Sequence, residues 1–165
     1  MPIRRITAEQ TRPLRARILR PGQTPEQLVY PGDDAPDSLH AGAIRDGQIV
    51  GIASVSRQMP PAPFTRPEDD LASCWQLRGM ATLPEVRGQG WGGRLLRVII
   101  GHAAAHGGTF LWCNARTPVL GFYRHYGFAA RGDEFMTPYA GPHYFMFRPL
   151  SPDDAALLAD LDSDR

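Results

Sequence analysis

A strand-like run from Cys74 to Thr82 turns through Arg87-Gly88-Gln89-Gly90-Trp91-Gly92 into a helix-like run from Trp91 to His106. No other stretch constrains the chain as much. Glycines give the backbone turn conformations closed to other residues and let main-chain N–H groups approach a ligand. The first N–H groups of the helix have no partner within it, and the positive end of its dipole lies behind them. Strand, glycine turn and helix in this order make an anion site, and Arg87 adds a guanidinium suited to phosphate. A tight turn without a ligand is the plainer alternative.

With 165 residues the chain has the size of one domain that can bury a real core. Its 18 Lys and Arg stand against 17 Asp and Glu, so no global field draws it to nucleic acid or an anionic membrane. No apolar run is long enough to cross a bilayer as a helix. Cys74 and Cys113 each sit in an apolar strand-like run without the close Cys or His spacing of a zinc site, so no metal set is read and both are expected as buried free thiols. The simplest location is cytoplasmic.

Pro2 to Ile6 reads as a short strand, and Thr7 caps a helix carrying Glu9, Leu14, Ile18 and Leu19, with Pro13 predicting a break or late start. Pro21 to Ser38 is rich in proline, glycine and aspartate and is expected as a surface loop; His40 and the acids Asp33, Asp34 and Asp37 read as solvated or as bordering a pocket. Ala43 to Val55 is a hairpin about Asp46-Gly47, followed by a second long loop from Arg57 to Asp70. Trp91, Leu95, Leu96, Ile99, Ile100, Ala103 and Ala104 recur at helical spacing, and Gly107-Gly108 stops the helix. Next come a strand over Thr109–Cys113, a helix over Thr117–Tyr126, strands over Phe128–Arg131 and Pro142–Phe147, and an acidic helix or tail over residues 149–165 capped by Ser151. The order predicts an α/β (α+β) fold, helices on a mixed sheet in one domain over residues 1–165.

Three phosphate loops compete. The nucleoside triphosphatase loop needs Lys and then Ser or Thr where Gly93 and Arg94 stand, and the dinucleotide fingerprint needs an acid about twenty residues on, where none occurs. The remaining pattern fits. Met80-Ala81-Thr82 with Pro84, then Arg87 to Gly92 and Leu95-Leu96, resembles the acyl-CoA-binding motif of the Gcn5-related N-acetyltransferase (GNAT) family. Tyr123-x-x-x-Gly127-Phe128 is similar to the ending of that family's later motif. The matched segments span Cys74 to Phe128, and the stretch from Phe122 through Gly132, Glu134 and Pro142-His143 is similar to the ElaA-type branch.

The resemblance implies a mostly antiparallel mixed sheet flanked by helices, acetyl-CoA as cofactor, and direct transfer to a small-molecule amine or a protein amino group in a ternary complex. It assigns CoA binding to Met80, Ala81, Thr82, Arg87, Gly88, Gln89, Gly90, Trp91, Gly92 and Asn114. Among these, Met80 and Thr82 would meet the pantetheine arm, Gly88 to Gly92 the pyrophosphate, and Asn114 the pantetheine or a water. It makes Tyr123 the acid for the leaving sulfur. The strand position where many members carry a basic carboxylate holds Gln76 and Arg78 here. Glu134 and His143, near the last strands, are therefore the candidate bases. The missing carboxylate also admits a CoA-sensing or partner-binding module without catalysis. The acceptor and the oligomeric state, a homodimer among the admissible forms, are not encoded in any motif.

Overall fold

The computed structural model describes residues 2–138 and 140–162. In chain order they form β1 (Ile3–Arg5), α1 (Ala8–Leu14), β2 (Leu39–Arg45), β3 (Gln48–Arg57), β4 (Cys74–Thr82), α2 (Trp91–Ala105), β5 (Phe110–Arg116), α3 (Leu120–His125), β6 (Ala129–Thr137), β7 (Gly141–Pro149) and β8 (Leu161–Asp162). One sheet holds all eight strands in the order β6-β7-β5-β4-β3-β2-β1-β8. Only the pairs β4/β5 and β1/β8 are parallel. The first follows from the crossover through α2, which a parallel pair requires. The mixed, mainly antiparallel sheet with flanking helices agrees with the fold expected from the sequence.

Register assigns each side chain to a face, because paired residues point the same way and neighbours along a strand alternate. A Cβ on Gly51 would touch Leu95 of α2 at 3.1 Å, so Gly51, Ala53 and Val55 face α2. Ser54 accepts a hydrogen bond from Arg15 at 3.1 Å and so faces the α1 side. Ser54 pairs with Arg78 and Ser56 with Gln76. Gln76 pairs in turn with Trp112, and Asn114 and Arg116 pair with Phe145 and His143. Gln76, Arg78, Asn114, Arg116 and His143 thus share the α1 face. The α2 face carries the main core, in which Leu95, Leu96, Ile99 and Ile100 are fully buried. On the α1 face the loop from Arg57 to Asp70 covers a smaller apolar cluster, with Phe64 stacked on Phe145 at 4.2 Å.

Of the two outcomes expected from Pro13, the break is found and the late start is not: Thr7 and Gln10 form a capping box and start α1 at Ala8, and the helix ends at Leu14, where the chain widens into a π turn at Arg15–Leu19. Two local expectations are corrected. The segment from Pro21 to Ser38 is not purely superficial, since Leu28 and Asp33 are buried. The C-terminal segment is a 3-10 helix, Pro152–Asp160, with Ser151 and Asp154 forming a capping box at its start, and Leu161–Asp162 then adds an edge strand beside β1. This helix packs so tightly on α2 that a Cβ at Gly101 would collide with the backbone of Leu158. The two cysteines are buried free thiols, and burial raises the pKa of both, Cys74 to about 11.

A buried ion pair fixes the loop between α1 and β2. Arg15 donates to both Asp33 oxygens at 2.7 and 3.0 Å and to the Leu28 carbonyl at 2.9 Å. His40 bridges Ser54 at 2.7 Å and the Asp33 carbonyl at 2.8 Å. Burial alone would raise the Asp33 carboxyl; the bonds from Arg15 and from the Tyr30 N–H outweigh it and hold the pKa below the ordinary value. A carboxyl depressed in the folded state contributes stability that is complete above its unfolded pKa of ~3.9 and is lost as pH falls through the lower, folded value. Asp33→Asn leaves the Arg15 charge without its partner and is expected to cost about 3–5 kcal/mol. Thermal melts of both proteins from pH 7 down to pH 3 check this: the gap between them is widest at neutral pH and narrows below about pH 4.

Candidate active site

β4 and β5 share only three register pairs, ending at Gln76 and Trp112, and then part. Beyond that point Leu77–Thr82 and Cys113–Arg116 face each other across an opening of about 680 Å³. β4 is bonded to β3 on its far side and β5 to β7 on its own, so the two edges facing the opening carry main-chain groups without strand partners. β4 also bulges. Ile52 pairs with Ala81 and Ser54 with Arg78, so three steps along β4 match two along β3. Gly79 takes up the extra residue at φ +63°, and an unpaired peptide stands at the cleft wall.

The α2 side of the cleft is built by the glycine turn and α3. Gly88 and Gly90 have φ +78° and +88°, and a Cβ on either would meet nothing within 4 Å. Their conformation demands glycine while the protein leaves the space above them open. Gly90 caps α2 without a side-chain bond, so the first helical N–H groups are free for a ligand. An open cradle of N–H groups beside the exposed guanidinium of Arg87 fits the diphosphate of CoA. At Gly93 the absence of a side chain admits the Tyr126 hydroxyl, and Phe122 lies 3.4 Å from the Cβ position of Gly92. These contacts dock α3 on the first turn of α2 and set Tyr123 at the cleft. Its hydroxyl donates to the Met80 sulfur at 3.8 Å. Burial, with a smaller push from Cys113, drives its pKa well above the ordinary range.

Of the residues expected to bind cofactor, Met80, Ala81, Thr82, Arg87, Gly92 and Asn114 line the cleft. Gly88, Gln89 and Gly90 form the exposed turn beside it, where the Gln89 amide donates to the Glu85 carbonyl at 3.2 Å. Trp91 is buried in the core beneath the turn. Asn114 stands on the α1 face, across the sheet from Tyr123. His143 also lines the cleft on that face, and its Nδ1 donates to the Gly141 carbonyl at 2.8 Å. A carbonyl only accepts, so Nδ1 bears a proton, and in the neutral ring the lone pair is on Nε2. Glu134 is exposed on β6, outside the cleft lining, and accepts a hydrogen bond from Thr117 Oγ1 at 2.7 Å. Arg20, Tyr30, Gln76, Arg78 and Arg116 also line the α1 side. Sequence motifs did not single them out as a site; the sign available was a pair of polar residues, Gln76 and Arg78, inside a central strand.

Comparison with known proteins points to one family. The profile of the acetyltransferase (GNAT) family matches residues 5–128. An uncharacterized N-acetyltransferase of Bacillus subtilis strain 168, YitI, is 38% identical over 148 residues, covering 90% of this chain and 95% of its own. Among solved structures, Escherichia coli ElaA superposes with a TM-score of 0.66 at 19% identity over 84% of this chain and 87% of its own. An aminoglycoside 6'-N-acetyltransferase complexed with coenzyme A gives a TM-score of 0.68 at 15% identity over 92% of this chain and 98% of its own. No helix among the described residues is long and apolar enough to cross a membrane. The open glycine turn, the parted strands and a family match over three quarters of the sequence lead to one assignment: the chain belongs to the GNAT family of N-acetyltransferases, with acetyl-CoA as its cofactor.

Proposed function

We propose that the protein acetylates the nitrogen of an amine acceptor directly, with donor and acceptor held in the cleft together. The observation that carries this reading is that the cleft passes through the sheet. Its α2 side is lined by Arg87, Gly92 and Tyr123, and its α1 side by Asn114, His143 and further polar residues. Two ligands that enter from opposite faces meet between β4 and β5 without a covalent enzyme intermediate. Cys113 suits that reading, because burial raises its pKa and keeps it a thiol, which is a poor nucleophile.

When bound, acetyl-CoA supplies an acetyl group on a thioester, and a carbon–nitrogen bond to the acceptor replaces the carbon–sulfur bond. Main-chain N–H groups of Gly88 to Gly92 and the Arg87 guanidinium hold the diphosphate. The open edge of β4 at Met80, Ala81 and Thr82 offers main-chain groups to the pantetheine arm. The unpaired peptide at the Gly79 bulge is a donor for the carbonyl oxygen, where negative charge develops. Tyr123 keeps its proton against solvent and presents it at a soft sulfur acceptor, the role a departing thiolate needs filled. On the opposite face His143 receives the amine proton at Nε2, and Asn114 orients the acceptor or a water beside it. Glu134, tied to Thr117 outside the cleft lining, does not take the proton.

Tyr123→Phe is expected to lower kcat by roughly ten- to a thousandfold with little change in acetyl-CoA affinity; turnover equal to wild type removes Tyr123 from the mechanism. Between the two bases, His143→Gln is expected to lower kcat by about a hundredfold and Glu134→Gln by less than about threefold. Steady-state rates of both variants with one acceptor decide it, and the reverse order transfers the role to Glu134.

A further inference from the structure

We infer that the acceptor is a small amine that also carries an oxyanion, a carboxylate or a phosphate, and that Arg20, Arg78 and Arg116 bind that group. This rests on the acetyltransferase reading of the cleft. Three guanidiniums line its α1 side, and no Asp or Glu is among the lining residues. Arg78 on β4 and Arg116 on β5 stand on the same face, on the two strands that part. Arg20 joins them from the end of the π turn: Arg20 and Arg116 both donate to the Leu19 carbonyl, at 2.9 and 3.0 Å. Arg78 lies over the Tyr30 ring at 4.2 Å.

Four arginines that pack into the fold elsewhere have carboxylate partners. Arg15 has Asp33, Arg57 has Asp37, Arg66 has Asp69 and Arg148 has Asp154. Arg20, Arg78 and Arg116 form no such pair among the described residues. Burial lowers the pKa of Arg78 and of Arg116, and the charge of Arg20 pushes both the same way. Three half-buried guanidiniums on one side of the cleft with no carboxylate bonded to them are unfavourable until an anion joins them, and the guanidinium fork matches carboxylate and phosphate oxygens in pairs. The diphosphate of CoA is not that anion, because its cradle of glycines and Arg87 opens on the other side of the sheet. The cluster has a second effect. Positive charge near the acceptor disfavours its ammonium form and so favours the neutral amine that attacks, on a strand that lacks a carboxylate base. Polycationic acceptors are repelled by the same charges.

The test is calorimetric titration of the CoA-saturated protein with β-alanine and O-phosphoethanolamine, against propylamine and spermidine. The anionic amines are expected to bind at least about tenfold more tightly than propylamine, with spermidine weakest, and the stronger of the two identifies carboxylate or phosphate. Arg78→Gln and Arg116→Gln are each expected to weaken the anionic amine by about ten- to a hundredfold, leaving propylamine and CoA affinities unchanged, while Arg78→Lys and Arg116→Lys recover part of the loss. Anionic amines that bind no better than propylamine, no binding by any of them, or discrimination that survives both Gln variants overturns the inference. CoA that fails to bind counts against the acetyltransferase reading itself; CoA binding without anion preference counts against this inference alone.

Discussion

The parting of β4 from β5 is the constraint on which the site depends. Parallel strands normally continue their ladder until a turn ends it, yet here pairing stops after Gln76 and Trp112 while both strands run on. Main-chain groups left facing an opening are costly unless something bonds to them. The parting can exist because each strand keeps a full partner on its other side, β3 for β4 and β7 for β5. It is widened by the bulge at Gly79 and walled by α3, whose aromatic residues need the bare backbone of Gly92 and Gly93 to approach α2. A cofactor arm carrying amides is the natural occupant of two open strand edges.

The loop between α1 and β2 turns this opening into a site with an acceptor side. Left free, a chain so rich in proline and glycine would not define a wall. Arg15 and Asp33 pin it from within, Asp37 meets Arg57 at 2.6 Å, and the His102 ring donates to the Asp37 carbonyl at 2.7 Å. His102 remains neutral in doing so, its pKa pushed down to about 4 by burial. Tyr30 is thereby held between Arg15 and Arg78, with the two guanidiniums 4.0 and 4.2 Å from its ring. One of these cations is neutralised by the scaffold and the other faces the cleft. That division separates structural charge from charge available to a ligand.

The local half of this structure was legible in the sequence. Strand, glycine turn and helix from Cys74 to His106 are written in contiguous residues, as are the Asp46-Gly47 hairpin and the Tyr123 to Phe128 ending, because periodicity and turn chemistry act over a few positions. What was not legible depends on partners far apart in the chain. The strand expected over Phe128–Arg131 runs on as β6 to Thr137, because β7 lies alongside and a bulge absorbs Gly132 at φ +78°. Asp33 reads as a loop aspartate, and the π turn after α1 brings Arg15 to it. Gln76 and Arg78 were seen as the absence of a carboxylate; their presence on one face with Arg116 and His143 follows from register, which no single segment encodes.

Calorimetric titration with acetyl-CoA, using NADH as the control ligand under the same conditions, tests the central claim that this cleft is built for an acyl-CoA. The account predicts saturable 1:1 binding of acetyl-CoA and no heat from NADH. Absence of acetyl-CoA binding, or equal binding of NADH, would contradict it.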